Sequence, residues 1–282
     1  MSNKKSSTSF LVQGSILAMA SIISRIIGLV YRIPLTAIIG NKGNDYYGCA
    51  FEIYNILLII SSYSLPLAVS KLVSADMSLG RKKNVYRILK CALIFGLVSG
   101  TIAALILFFG AEFITGTIMK TPYSIFAVKV LVPTLIVVAV LGVMRGFFQG
   151  LRTMMPSAVS QILEQVVRVV TMIAFAVILL PYGLEFGAAG ATLGAAPGAF
   201  MGILVLIGFY YMTRNWRKEL ASEQDTSIKP QSAMSIIKRL LVLAIPVSLA
   251  NIMLPIVSNI DLLIVWKWQD LLSKKRRHSS AI

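Results

Sequence analysis

Seven apolar runs, each long enough to cross a bilayer, fill most of this sequence and leave little room for a water-soluble domain. A helix needs about 20 residues to traverse the roughly 30 Å hydrocarbon layer. Such runs occur at Phe10 to Ile39, Tyr46 to Ser70, Tyr86 to Phe113, Tyr123 to Phe148, Ser157 to Leu180, Phe186 to Met212 and Leu240 to Trp266. Within lipid the backbone must satisfy its own hydrogen bonds, which helices of this length do. The expected fold class is therefore an all-α integral membrane protein of about seven transmembrane helices.

Charge must be interpreted against that background. Lys and Arg number 27 against 11 Asp and Glu, and the net charge of +16 would by itself suit a nucleic-acid binder. With 57% hydrophobic residues and a mean hydropathy of +0.80, the basic groups instead flank apolar runs, as membrane orientation requires. The expected partners are membrane lipids and no nucleic acid. Cys49 and Cys91 lie in or beside apolar stretches and offer no disulfide framework. The single histidine, His278, sits in the tail, which argues against His-based metal or acid/base chemistry in the membrane and against an enzyme.

The connections set the organisation. Residues 1–9 read as a cytoplasmic N-terminus, 10–213 as a lobe of six spans, 214–239 as a basic linker and 240–265 as the seventh span. Lys4 and Lys5 before the first span resemble a secretory signal, but the run is too long and lacks a small-residue cleavage site, so it reads as an uncleaved anchor. Between the second and third spans Lys71, Arg81, Lys82, Lys83, Arg87 and Lys90 face Asp76 alone. Between the sixth and seventh, Arg214, Arg217, Lys218, Lys229, Lys238 and Arg239 outnumber Glu219, Glu223 and Asp225. Alternate connections are poor in charge, so the positive-inside bias places the N-terminus in the cytoplasm. Seven spans would then export a tail bearing Lys274, Lys275, Arg276 and Arg277, which is the wrong sign. Either the last span does not cross, or residues 266–282 are an atypical basic tail produced by truncation or a frameshift, and the second is the expectation.

Charges inside the spans carry the functional signal. Arg25 lies near the middle of the first span and Arg32 two turns later, on a stripe with Gly14, Ala18, Ser21 and Gly28. A central arginine costs at least about 2.5–3.5 kcal/mol on insertion scales, so it needs a partner or a wet cavity. A hairpin turning at Asn41 to Asn44 would bring Glu52 to the depth of Arg32, where the two could pair and leave Arg25 as an uncompensated cation. Two arginines on one face, with too few carboxylates, point to an anion site; a structural ion pair is the alternative. Arg145, Glu164 and Arg168 form a second cluster, with Glu164 and Arg168 at the i, i+4 spacing of an intrahelical pair. That cluster reads first as a structural network joining the fourth and fifth spans; lining of a substrate cavity by Arg145, Glu164 and Arg168, together with Glu52, is the other reading. The seventh span holds Asn251, Ser258, Asn259 and Asp261 beside Pro246 and Pro255. Oxygen ligands near freed carbonyls can coordinate a hard cation, with Asp261 the candidate ligand; an interfacial carboxylate is the other reading. Gly190, Gly194, Gly198 and Gly202, each four apart, signal close helix packing.

Three segments carry a resemblance: SRIIGLVYRIPLTAIIG at Ser24 to Gly40, PLAVSKLVS at Pro66 to Ser74, and RGFFQGLRTMMPSAVSQILEQVVRV at Arg145 to Val169. Together they resemble the polysaccharide-transport branch of the multidrug/oligosaccharidyl-lipid/polysaccharide (MOP) exporter superfamily, in particular its stage V sporulation protein B-like and MurJ-like lipid II flippases. The resemblance implies fourteen helices in two lobes around a central cavity, of which this chain holds the N-lobe and the first helix of the C-lobe. It implies a bacterial cytoplasmic-membrane flippase that moves an undecaprenyl-pyrophosphate-linked saccharide by alternating access, with no cofactor and with Na+ or H+ as coupling ion. In such members first-helix arginines line the cavity and hold the pyrophosphate, which assigns that role to Arg25 and, in the neighbouring segment, to Arg32. Tyr-Arg-Ile-Pro stands here where other members carry an Arg-Asp pair. Half a cavity also implies a missing C-terminal lobe or a second copy as partner. The alternatives are a drug or cation antiporter of the same superfamily, a membrane transferase, and a non-functional truncated product. Two first-helix arginines would line an organic-cation path unfavourably, and neither clustered acidic metal ligands nor a GxxxxGK[ST] loop supports a transferase.

Overall fold

The computed structural model describes residues 2–215, 231–251 and 253, and among these the chain is helical with no strand. The helices are α1 (Ser2–Val30), α2 (Arg32–Leu58), α3 (Leu65–Ser78), α4 (Lys82–Phe113), α5 (Ile125–Gly150), α6 (Met155–Leu179), α7 (Leu184–Leu193), α8 (Ala195–Met212) and α9 (Ala233–Asn251). Among the described residues six stretches are long and apolar enough to cross a membrane, and the first, Val12–Leu58, spans 47 residues. That stretch folds back on itself and supplies two crossings, which accounts for the seven expected from hydropathy.

The reversal is at Gly40. Its φ of 66° and ψ of −178° belong to a region open essentially to glycine. Tyr31 and Tyr47, 16 residues apart, hydrogen-bond hydroxyl to hydroxyl at 2.9 Å, whereas a straight helix would separate their backbones by about 24 Å. The turn thus comes slightly before the expected Asn41 to Asn44. Gly40→Ala is expected to cost about 1–3 kcal/mol, because a Cβ strains this backbone although the space around it is open. A fall in the thermal unfolding midpoint in detergent checks this, and an unchanged midpoint would contradict the strained turn.

The second crossing is also bent. After Leu58 one π-helical turn runs from Ile59 to Tyr63, and Pro66 then opens α3 at a position where its missing N–H costs nothing. The sixth crossing breaks between α7 and α8 at Gly194. At the far end α9 begins at Ala233, ahead of the apolar run at Leu240, because the Ser232 hydroxyl accepts a hydrogen bond from the Ser235 N–H at 3.3 Å and caps the helix.

α5 forms the centre of the bundle. Leu131, Leu135, Ala139, Val143, Phe147 and Phe148 on it are buried, surrounded by α2, α3, α4, α7 and α8. Outward faces are apolar in turn, with Phe109 78% and Phe113 63% exposed, as a lipid-facing surface requires. Successive connections alternate between two ends. At one end the Met154 N–H, in the α5–α6 turn, donates to Gln13 Oε1 of α1, and the Gln231 N–H before α9 donates to Asn84 Oδ1 of α4. At the other, Cys49 and Thr121 meet at 3.1 Å and Tyr46 lies against Tyr123. This arrangement is a multi-pass membrane protein in which α1 packs on α6 at the edge of the bundle.

A cationic groove between the first and sixth helices

α1 meets α6 through small polar contacts. Ser21 Oγ and the Gln161 side chain are within hydrogen-bond reach, Ser24 Oγ donates to the Gln161 carbonyl at 3.5 Å, and Gly28 leaves room for the Gln165 amide. Beside this seam opens a groove of about 530 Å³ whose polar lining includes Arg25, Arg32, Arg168, Gln161, Gln165 and Tyr31. Among the described residues no carboxylate lines it. Arg25 and Arg32 are exposed to the groove and have no ion-pair partner among the described residues.

Glu52 is placed differently from the expected pairing. It is exposed, makes no ion pair among the described residues and does not line the groove. The physical reason is rotation: consecutive helical residues point about 100° apart, and in α2 the preceding residue, Phe51, is the one turned into the groove. Arg32 therefore joins Arg25 as an uncompensated cation instead of neutralising Glu52.

The second cluster is assembled as its spacing implied. Glu164 is 8% exposed, and its two oxygens accept from Arg145 Nη2 at 2.7 Å and Arg168 Nη2 at 2.8 Å. Arg145 also donates to Ser160 Oγ at 2.9 Å, and that hydroxyl in turn donates to the Gly202 carbonyl at 3.1 Å, tying α5, α6 and α8 together. One carboxylate serves two guanidiniums, so the cluster retains one positive charge. Arg168 is the member that reaches the groove, and its Nε, though buried, has no hydrogen-bond partner. Behind it a smaller pocket of about 210 Å³ is lined by Arg145, Glu164, Arg168, Tyr54 and Phe51.

The glycine ladder seats this cluster. A Cβ at Gly198 would lie 2.8 Å from Arg168 Cβ and from the Glu164 carbonyl oxygen, and one at Gly194 would lie 2.5 Å from the backbone of Met172. Close approach of α7 and α8 thus fixes the rotation of α6 and directs Gln161, Gln165 and Arg168 at α1. The sequence reading did not pick out Gln161 and Gln165. Their signal was present: with Arg168 they stand at i, i+4 and i+7, one polar stripe along the helix. Pro255, Ser258, Asn259 and Asp261 lie outside the described residues. Among the described residues no group of three or more His, Cys, Asp or Glu is placed to hold a metal ion.

What the groove can do chemically follows from its donors. Three guanidiniums and two amides converge on a space without an acceptor charge, walled by helices. Guanidinium forks match phosphate oxygens in bidentate, charge-assisted hydrogen bonds.

The comparisons with known proteins agree with this architecture. The family described as "Polysaccharide biosynthesis protein" matches residues 11–269. Stage V sporulation protein B of Bacillus subtilis is 34% identical over 198 residues, covering 70% of this chain and 38% of that protein. Lipid II flippase MurJ of Bacillus subtilis is 30% identical over 269 residues, covering 90% of this chain and 49% of that protein. A MATE transporter in its straight conformation superposes with a TM-score of 0.70 at 15% identity, over 88% of this chain and 54% of that one. A MOP superfamily transporter from Pyrococcus furiosus gives 0.65 at 15% identity, over 83% and 51%. This chain spans about half the length of most of these proteins.

Proposed function

We propose, from the premise that the chain belongs to the polysaccharide biosynthesis protein family, that it forms the N-terminal lobe of a flippase for a polyprenyl-pyrophosphate-linked saccharide. The observation that carries this reading is the groove itself, with Arg25, Arg32 and Arg168 converging and no carboxylate among its lining residues. The two flippase and sporulation relatives support the same class. In this reading the pyrophosphate lies against the guanidiniums, Gln161 and Gln165 donate to saccharide or phosphate oxygens, and the prenyl tail stays in lipid. Undecaprenyl pyrophosphate carrying a lipid II or polysaccharide precursor is the substrate class that fits. No bond of the substrate is made or broken.

Transport across the bilayer needs a second lobe, so that the opening alternates between leaflets. That lobe would come from a C-terminal half or a second copy. Na+ or H+ would drive the exchange, with Asp261 as the proposed cation ligand, and the charge pattern of the connections supports a cytoplasmic N-terminus in a bacterial cell membrane. An organic-cation antiporter is disfavoured by the same three positive charges, which would repel its substrate.

The test is binding of undecaprenyl pyrophosphate to the 282-residue chain in lipid nanodiscs. A hydrogen bond to a charged group contributes about 1.5–3 kcal/mol, so Arg25→Ala and Arg32→Ala should each weaken binding by about tenfold or more. Arg25→Lys should retain part of the affinity. If both alanine variants bind as the parent does, the assignment of the groove fails.

A further inference from the structure

A second groove lies at the basic end of the bundle, away from the three arginines. It runs between α3 and α9, has a volume of about 490 Å³, and is lined by Lys71, Lys238, Arg239, Leu72, Val242 and Leu243. We propose that it is a binding site for an anionic phospholipid, with the headgroup phosphate held between Lys71 and Lys238 and one acyl chain lying along α9.

Three features carry this assignment. The first is charge. Lys71 and Lys238 are exposed and have no partner among the described residues. Arg239 is already engaged, with Nη1 at 3.6 Å from the fully buried Asp76 carboxylate and 2.8 Å from Gln231 Oε1. Asp76 therefore balances Arg239, and the two lysines remain as an uncompensated pair facing one space.

The second feature is the apolar track. On α9, Val242, Ile245 and Leu249 are 62%, 53% and 61% exposed and stand at i, i+3 and i+7, which places them on one face. On α3, Leu67 is exposed one turn before Lys71. Both tracks lead away from the cationic end toward the middle of the helices, as an acyl chain does when its headgroup is at the interface. Free phosphate would use the lysines and leave this track idle.

The third is rigidity. Asn84, Asp76, Gln231 and Arg239 fasten the start of α9 to the α3–α4 end of the bundle, so the two walls keep a fixed separation. Basic pockets between transmembrane helices on the positively charged side of a membrane protein recognise anionic lipid headgroups on this basis. The site is independent of whatever the arginine groove carries.

Native mass spectrometry of the full chain with equimolar dioleoylphosphatidylglycerol and dioleoylphosphatidylcholine tests the proposal. The first bound lipid should be predominantly phosphatidylglycerol. Each lysine contributes about fivefold to that preference, so Lys71→Gln and Lys238→Gln should each reduce it by that factor and together remove most of it. Lys71→Arg should preserve it. Lys90→Gln, a change at an exposed lysine of α4 outside the groove, should leave it unchanged. Excess glycerol phosphate, which has no acyl chains, should fail to displace the lipid. The proposal is overturned if the double glutamine variant keeps the preference, if Lys90→Gln reduces it equally, or if glycerol phosphate competes.

Discussion

Glu164→Ala is expected to lower the stability of the folded chain by about 3–5 kcal/mol, the cost of leaving a buried charge without its partner. Glu164 is 8% exposed and holds Arg145 at 2.7 Å and Arg168 at 2.8 Å, so its removal strands two guanidiniums at once. They differ in what they can do next. Arg145 retains only Ser160 and stays enclosed among α5, α6 and α8. Arg168 already borders the arginine groove and can turn into it. The destabilisation should therefore come mainly from Arg145, and adding Arg145→Met to Glu164→Ala should restore a large part of it. Equilibrium unfolding of the four members of this double-mutant cycle measures that coupling. The same variant should bind undecaprenyl pyrophosphate no more weakly than the parent, since it frees Arg168 from its carboxylate. A loss of stability below about 1 kcal/mol would mean that water already solvates the cluster.

That asymmetry shows how far the sequence could be followed. The crossings were legible because hydrophobic runs of this length have one solution in lipid. Arg25 and Arg32 were legible because a cation within such a run demands a reason. The Glu164–Arg168 pair followed from a four-residue spacing on one helix. Beyond that point, direction mattered more than position. Whether Phe51 or Glu52 faces the groove depends on a rotation of about 100° per residue, set by a turn at Gly40 just ahead of the Asn41 to Asn44 stretch where it was expected. The start of α9 was displaced by a serine cap too local for hydropathy to register. Arg168 serves both the buried network and the groove because the α1–α6 seam lies at its side, a contact between residues more than a hundred positions apart. The glycine ladder was visible as a packing motif, while its consequence for chemistry became visible only from what it packs against.

That consequence yields the second large effect. Gly194→Ala is expected to destabilise the bundle by about 1–3 kcal/mol, the usual cost of overpacking, and Gly194→Val by more. The added carbon would sit 2.5 Å from both the Cα and the N of Met172. These are backbone atoms of a long helix, so no rotamer change relieves the clash and α6 must move away from the α7–α8 break. Gly198 is the next step of the ladder, where a Cβ would press on Arg168 Cβ and the Glu164 carbonyl at 2.8 Å. Gly198→Ala should therefore couple packing to binding: stability falls, and affinity for the pyrophosphate falls with it as Arg168 is displaced. Gly208 lies on the same α8 helix with nothing within 4 Å of its would-be Cβ. There alanine should be neutral or stabilising by up to about 1 kcal/mol, because it removes the conformational freedom of glycine in a helix. Thermal unfolding of the three alanine variants in one detergent separates the two regimes. If Gly194→Ala and Gly208→Ala behaved alike, close contact between α6 and the glycine ladder would not be what orients the arginine toward the groove.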